Sequence, residues 1–192
     1  MQNKRLVLLA GQWDTTPLVY NFLQKHFDVS HVVMEQPVSK KIFLKNRAKR
    51  LGYVTVGGQV LFSALVAKPM RRLSDKRVRE ILTQYSLDTT TVPSEKTTSV
   101  VSVNSQESMN KLKSLQPDLI VVHGTRIISK KVLASLTGTS FLNVHAGITP
   151  RYRGSHGAYW ALLNNDKENC GVTVHLVDAG EEVPRVHRGD CQ

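Results

Sequence analysis

Leu6-Val-Leu-Leu-Ala10, Gly11-Gln-Trp-Asp-Thr-Thr-Pro17, a helical stretch to about His26 and then Val29-Ser-His-Val-Val-Met34 open the chain, and their reading decides the fold. Leu6 to Ala10 is a short, unbroken apolar run, as expected of a strand buried on both faces. Asp14, Thr15 or Thr16 can cap the following helix, and Pro17 is tolerated in its first turn. Strand, loop, helix and strand in this order begin a doubly wound sheet. The loop lacks the Gly-x-Gly-x-x-Gly pattern and a Walker lysine, which argues against dinucleotide and P-loop nucleotide sites. The helix start can still accept an anion.

The remainder of the chain extends the same pattern. A Thr-, Ser- and Pro-rich loop runs from Leu87 to Thr98, and Val100 to Val103 reads as a short strand. Asn104 or Ser105 caps a helix reaching Leu115. Pro117-Asp-Leu-Ile-Val-Val122 is continuous in its apolar run, as a central parallel strand is. The fold class is therefore α/β, a doubly wound, mostly parallel sheet. Residues 38–85 form a basic helical insertion with Gly57-Gly58 as a break inside it, and no linker divides the chain into separate folded domains.

The 192 residues carry a formal charge of +11 and are 41% apolar. That length supports a core without staples. Two cysteines, Cys170 and Cys191, form no framework, no run approaches a membrane span, and the first residues lack the features of a signal peptide. The expected location is the cytoplasm. The excess charge lies in Lys40, Lys41, Lys45, Arg47, Lys49 and Arg50, and again from Lys68 to Arg79, interleaved with apolar residues. A solvated basic face, attraction of a phosphorylated or nucleic-acid substrate, and docking on an anionic membrane surface are all compatible with that pattern.

The chemistry concentrates in Phe141-Leu-Asn-Val-His-Ala-Gly-Ile-Thr-Pro-Arg-Tyr-Arg-Gly154 and the aromatic helix Ala158-Tyr-Trp-Ala-Leu162. Positions two apart on a strand share a face, so Asn143 and His145 face one pocket. An amide N–H and an imidazole suit acyl chemistry, the first for a developing oxyanion and the second for a proton near neutrality. Gly171-Val-Thr-Val-His-Leu-Val177 reads as another buried strand, ending at Asp178-Ala-Gly180. Its carboxylate is expected at the carboxyl edge of the same sheet. Tyr159 and Trp160 read as core, and Arg151 to Arg153 as a turn. His145, His156 and His175 lack any short zinc spacing, so no metal is expected.

Asn-x-His, Pro-x-Tyr-Arg-Gly, an aromatic helix with Trp-Ala-Leu and Asp-x-Gly after an apolar strand together resemble the catalytic domain of the folate-dependent formyltransferases. That family includes enzymes that formylate glycinamide ribonucleotide, methionyl-tRNA and nucleotide-linked amino sugars. The resemblance implies a Rossmann-like formyltransferase domain over residues 1–180, with Asn143, His145 and Asp178 in catalytic positions. It further implies 10-formyltetrahydrofolate as donor, contacted by Val122, His123, Gly124, Thr125, Arg126 and Gly180. A primary amine, small or phosphorylated or nucleotide-linked, is the implied acceptor, with Gly11, Arg153 and Gly154 on its side.

The family members that formylate initiator tRNA generally carry a further carboxy-terminal domain, which makes tRNA the less favoured acceptor. Residues 181–192 depart from the family. Glu181-Glu-Val-Pro-Arg-Val-His-Arg-Gly-Asp-Cys-Gln192 lacks the expected apolar residue, Asp-Thr-Gly and apolar strand. They read as a truncated or altered terminus of a longer protein, or as a divergent one. The rival functions are a formyltetrahydrofolate hydrolase and a non-catalytic folate-binding or interaction domain. Stable membrane insertion is not expected.

Overall fold

A computed structural model describes residues 4–154 and 156–177. Six strands form one sheet: β1 (Leu6–Gly11), β2 (Val29–Glu35), β3 (Thr97–Val100), β4 (Leu119–His123), β5 (Ser140–His145) and β6 (Thr173–Leu176), in the spatial order β3-β2-β1-β4-β5-β6. All neighbours are parallel except β5 and β6. β1 is buried along its whole length. Alternation sends Val7 and Leu9, with Ile120, Val122 and Phe141, under α5 (Gln106–Leu115) and α6 (Lys130–Ser135). Leu8, Ala10, Val32 and Val121 pack against Tyr20 of α1 (Thr16–His26) on the other face. Helices on both faces of a parallel sheet are the doubly wound arrangement.

Several local expectations are corrected. Thr15 occupies the cap position of α1, but its side chain makes no cap hydrogen bond. Its hydroxyl and His123 Nε2 lie 3.0 Å apart, while Thr16 donates to Gly11 O. β3 is Thr97–Val100 rather than Val100–Val103, because its register against Val32 to Glu35 pairs the Thr-Thr-Ser-Val run. Of the two expected caps of α5, Ser105 is the one observed, accepting from Ser108 N. Asn104 instead joins two loops, donating to Ile127 O and accepting from Ser129 N.

The chain divides into two compact units, one comprising residues 1–36 and 90–192 and the other Pro37–Thr89. The second holds α2 (Lys40–Leu51), α3 (Tyr53–Phe62), a π-helical turn at Ser63–Ala67 and α4 (Lys68–Gln84). The expected break at Gly57-Gly58 is absent, since both lie inside α3. The break falls at Gly52, whose φ of +84° is a conformation that favours glycine.

Candidate active site

The ends of β1, β4 and β5 line the carboxyl edge of the sheet, where open α/β sheets place their ligands. Phe141, Asn143 and His145 alternate onto the α5 and α6 face, so the expected sharing of a face by Asn143 and His145 is observed. Both are half-buried. His145 Nε2 donates to Tyr152 O at 3.2 Å. Asn143 Nδ2 donates to His175 Nε2 at 3.0 Å, across the β5–β6 pair in which the two residues are register partners. With Nε2 accepting, the proton of the neutral His175 ring sits on Nδ1, which faces Leu176 O at 3.2 Å. His175 is buried and fixes one amide N–H of Asn143.

The loop after β5 is locked from several sides. Thr173, a register partner of His145 and fully buried, donates to Gly147 O at 2.7 Å and accepts from Thr149 N. Gly147 and Gly157 meet so closely that a methyl group on Gly147 would lie 2.5 Å from Tyr152 O and 3.0 Å from the Gly157 Cα. Tyr152, read from sequence as part of a turn, is buried, and its hydroxyl donates to Asp166 Oδ2 at 2.8 Å. Asp166 also accepts from Asn169 and pairs with Arg151 at 3.2 Å. Hydrogen bonds from Asn169 and Tyr152, with the Arg151 charge, hold its carboxyl below the ordinary range against a smaller opposing effect of desolvation. Tyr159 and Trp160 on α7 (Gly157–Leu163) are exposed, contrary to their reading as core; Gly157 and Ala161 are the buried residues of that helix.

β6 is the antiparallel edge strand of the sheet. It runs antiparallel to β5, from Thr173 beside His145 to Leu176 beside Leu142, and Val177 N donates to Phe141 O. By Val177 the strand has moved about four residues, or about 13 Å, away from His145 along the sheet. The end of this strand therefore lies toward the amino end of β5, not at the carboxyl edge. Asp178 and Gly180 lie outside the described residues.

The residues expected on the donor side have different surroundings. Val122 is buried on the Asn143 face, whereas His123 turns to the opposite face and Thr15. Burial pushes the His123 imidazole below its ordinary value, and its Nδ1 has no hydrogen-bond partner among the described residues. Thr125 donates to Arg126 O. The Arg126 guanidinium binds Glu35 Oε1, Val101 O and Gln36 O, and its backbone N–H reaches Glu35 Oε2. Glu35 is buried and also accepts from Val103 N. Gly11 and Gly124, expected on acceptor and donor sides respectively, meet under one indole: Trp13 Nε1 donates to Gly124 O at 2.6 Å, and a methyl group on Gly11 would lie 2.5 Å from that oxygen. Arg153 is exposed, and Gly154 beside it has φ +89°.

His175 and Thr173 are the site residues that sequence reasoning missed. Their signal was period-two alternation in Thr-Val-His, which marks a shared face once β6 is known to pair with β5. A cleft of about 530 Å³ also opens near β1 to β3, lined by Gln12, Trp13, Met34, Val92 and Thr97 among others.

The doubly wound sheet brings an amide and an imidazole together at its carboxyl edge, the place where open α/β sheets bind ligands. The formyl transferase family model matches residues 66–183. Methionyl-tRNA formyltransferase of Trichlorobacter lovleyi is 40% identical over 78 residues, covering 41% of this chain and 24% of that protein. The Finegoldia magna enzyme of the same name is 41% identical over 78 residues, with 41% and 25% covered. The chain thus spans about a quarter of the length of the curated relatives it matches. Among solved structures, phosphoribosylglycinamide formyltransferase from Streptococcus pneumoniae superposes with TM-score 0.53 at 17% identity, covering 96% of this chain and 84% of that one. Glycinamide ribonucleotide transformylase 1 from Geobacillus kaustophilus gives 0.52 at 22% identity, with 96% and 85% covered; both likenesses concern the fold. With more than half of its length matched by the family model, the chain belongs to the formyl transferase family.

Proposed function

We propose that the protein transfers a formyl group from 10-formyltetrahydrofolate to a primary amine of a small or phosphorylated acceptor. The observation that carries this reading is the placement of Asn143 and His145 on one face at the end of β5, with Asn143 fixed by His175. Bound at this edge, the folate supplies a formyl carbonyl carried on nitrogen. Asn143 has a second amide N–H beyond the one given to His175, and this group and His145 act on the formyl oxygen as negative charge develops. His145 first releases the Tyr152 carbonyl. His175 is a positioning residue, since it acts through Asn143.

The donor's contacts are proposed for the backbone of the 122–126 loop, because the His123 and Arg126 side chains are committed to protein partners. Gly11, Arg153 and Gly154 are proposed for the acceptor side, and Gly180 for the donor side. Asp178 is the proposed carboxylate for proton movement.

The test compares this chain with a version whose residues after Gly180 are replaced by the family's apolar-Asp-Thr-Gly loop and strand. Donor titration is combined with single-turnover transfer to glycinamide ribonucleotide, methionyl-tRNA and a nucleotide-linked amino sugar. The rebuilt chain should turn over much faster than the original at similar donor affinity; full activity of the unmodified chain would refute the reading of residues 181–192. His145→Ala should lower transfer by about a hundredfold or more with an unchanged Tm, and near-normal transfer would sink the assignment. Asp178→Asn should lower transfer with little loss of donor affinity; equal losses would point to a structural role.

A further inference from the structure

Residues 37–89 contain twelve Lys and Arg against three Asp and Glu, so +9 of the chain's +11 lies in this unit. Between its basic clusters, Tyr53 to Ala67 contains no charged residue. Those fifteen residues are helical, and their apolar side chains are displayed: Val54 is 92% exposed, Leu65 66% and Phe62 61%. The apolar face continues on α4 through Met70, Leu73 and Val78, all exposed, and is interrupted by Arg77, which pairs with Glu80 at 3.2 Å; Lys68, Arg72, Lys76 and Arg79 fall on the opposite side of the helix. Only Ala48 and Val56 are buried among the described side chains of this unit. Two small buried side chains cannot offset the ordering of 53 residues, so the exposed apolar face needs an occupant.

We propose that the helical unit lies in the interface of an anionic lipid surface, with Tyr53 to Val66 and the apolar side of α4 in the acyl boundary and the flanking Lys and Arg among the headgroups. The charge-free run is about 22 Å long at helical rise, short of the roughly 30 Å hydrocarbon core, so it lies along the surface rather than across it. No helix among the described residues is long and apolar enough to cross a membrane. A nucleic acid would match the charge but leave Leu61, Phe62 and Leu65 in water. A second copy would match the apolar face but bring +9 against +9.

Sedimentation of the full chain with vesicles of phosphatidylcholine, with and without phosphatidylglycerol, tests the proposal. Binding should require the anionic lipid and weaken as salt is raised. Leu61→Ser with Phe62→Ser, and separately Arg72→Glu with Lys76→Glu, should each reduce binding by about tenfold or more while circular dichroism shows unchanged helix content. Absence of binding to the anionic vesicles overturns the proposal. So does binding that survives the serine pair and is competed by homopolymeric RNA. A dimer in analytical ultracentrifugation that disappears with the serine pair would instead assign the face to a second copy.

Discussion

In the sheet unit Leu8, Leu9 and Ile120 are fully buried, while in the helical unit Leu61, Leu65 and Leu73 are largely exposed and the described burial amounts to Ala48 and Val56. The two units use the same residue types. The strands acquire burial from their neighbours and from helices on both faces, so an apolar run there is core by construction. A helix whose apolar stripe meets no facing layer keeps it in solvent, whatever its periodicity. Apolar patterning thus reports what a segment needs to cover, and topology decides whether the chain itself supplies the cover.

The comparison predicts very unequal responses to similar truncations. Leu8→Ala removes a fully buried side chain from the central strand and should cost about 3 to 4 kcal/mol in denaturant unfolding. Arg126→Ala should cost about 2 to 3 kcal/mol, because it leaves the buried Glu35 carboxylate with backbone donors alone. The same variant should leave donor affinity per folded molecule near normal, since the proposed donor contacts are backbone groups; a large loss of affinity with stability intact would assign the contact to the Arg126 side chain.

A smaller effect is expected from pH. Burial lowers the His123 pKa in the folded state, so the unfolded chain takes up its proton first as pH falls below about 6.5. Stability should therefore decrease through that window and level off below the folded pKa. His31 acts with the same sign, through burial and then the Lys111 charge, so His123→Gln should flatten the Tm-against-pH curve in part. Smallest of all, Leu73→Ser on the exposed face of α4 should change stability by less than about 0.5 kcal/mol. A loss near that of Leu8→Ala would erase the contrast between the units.

Much of the sheet was legible because β1 and β4 are almost wholly apolar runs of strand length and β2 carries Val32-Val-Met34 at its centre. β3 was misplaced by three residues: pairing with β2 outweighed the apolar content of Val100 to Val103. Alternation placed Asn143 and His145 on one face, since face depends on the residue's own strand. Strand direction depends on the partner, which is why the antiparallel course of β6 and the partnership of His175 with Asn143 escaped. Tyr152 and Trp160 exchanged their expected environments because loop closure through Thr173 and Asp166 folds the tyrosine inward, while α7 presents its small residues, Gly157 and Ala161, to the protein.

Trp13 gives the carboxyl edge its own optical reporter. Its indole lies across Gly11 and Gly124 with its N–H on the Gly124 carbonyl, yet 59% of the residue remains open to solvent. The sequence holds two tryptophans, and the other, Trp160, lies on α7. In a Trp160→Phe background, all tryptophan emission comes from the junction between the β1 and β4 loops. A ligand that displaces water there or shifts the Gly124 carbonyl should change its intensity or wavelength, so occupancy of the edge can be followed without any assay of turnover.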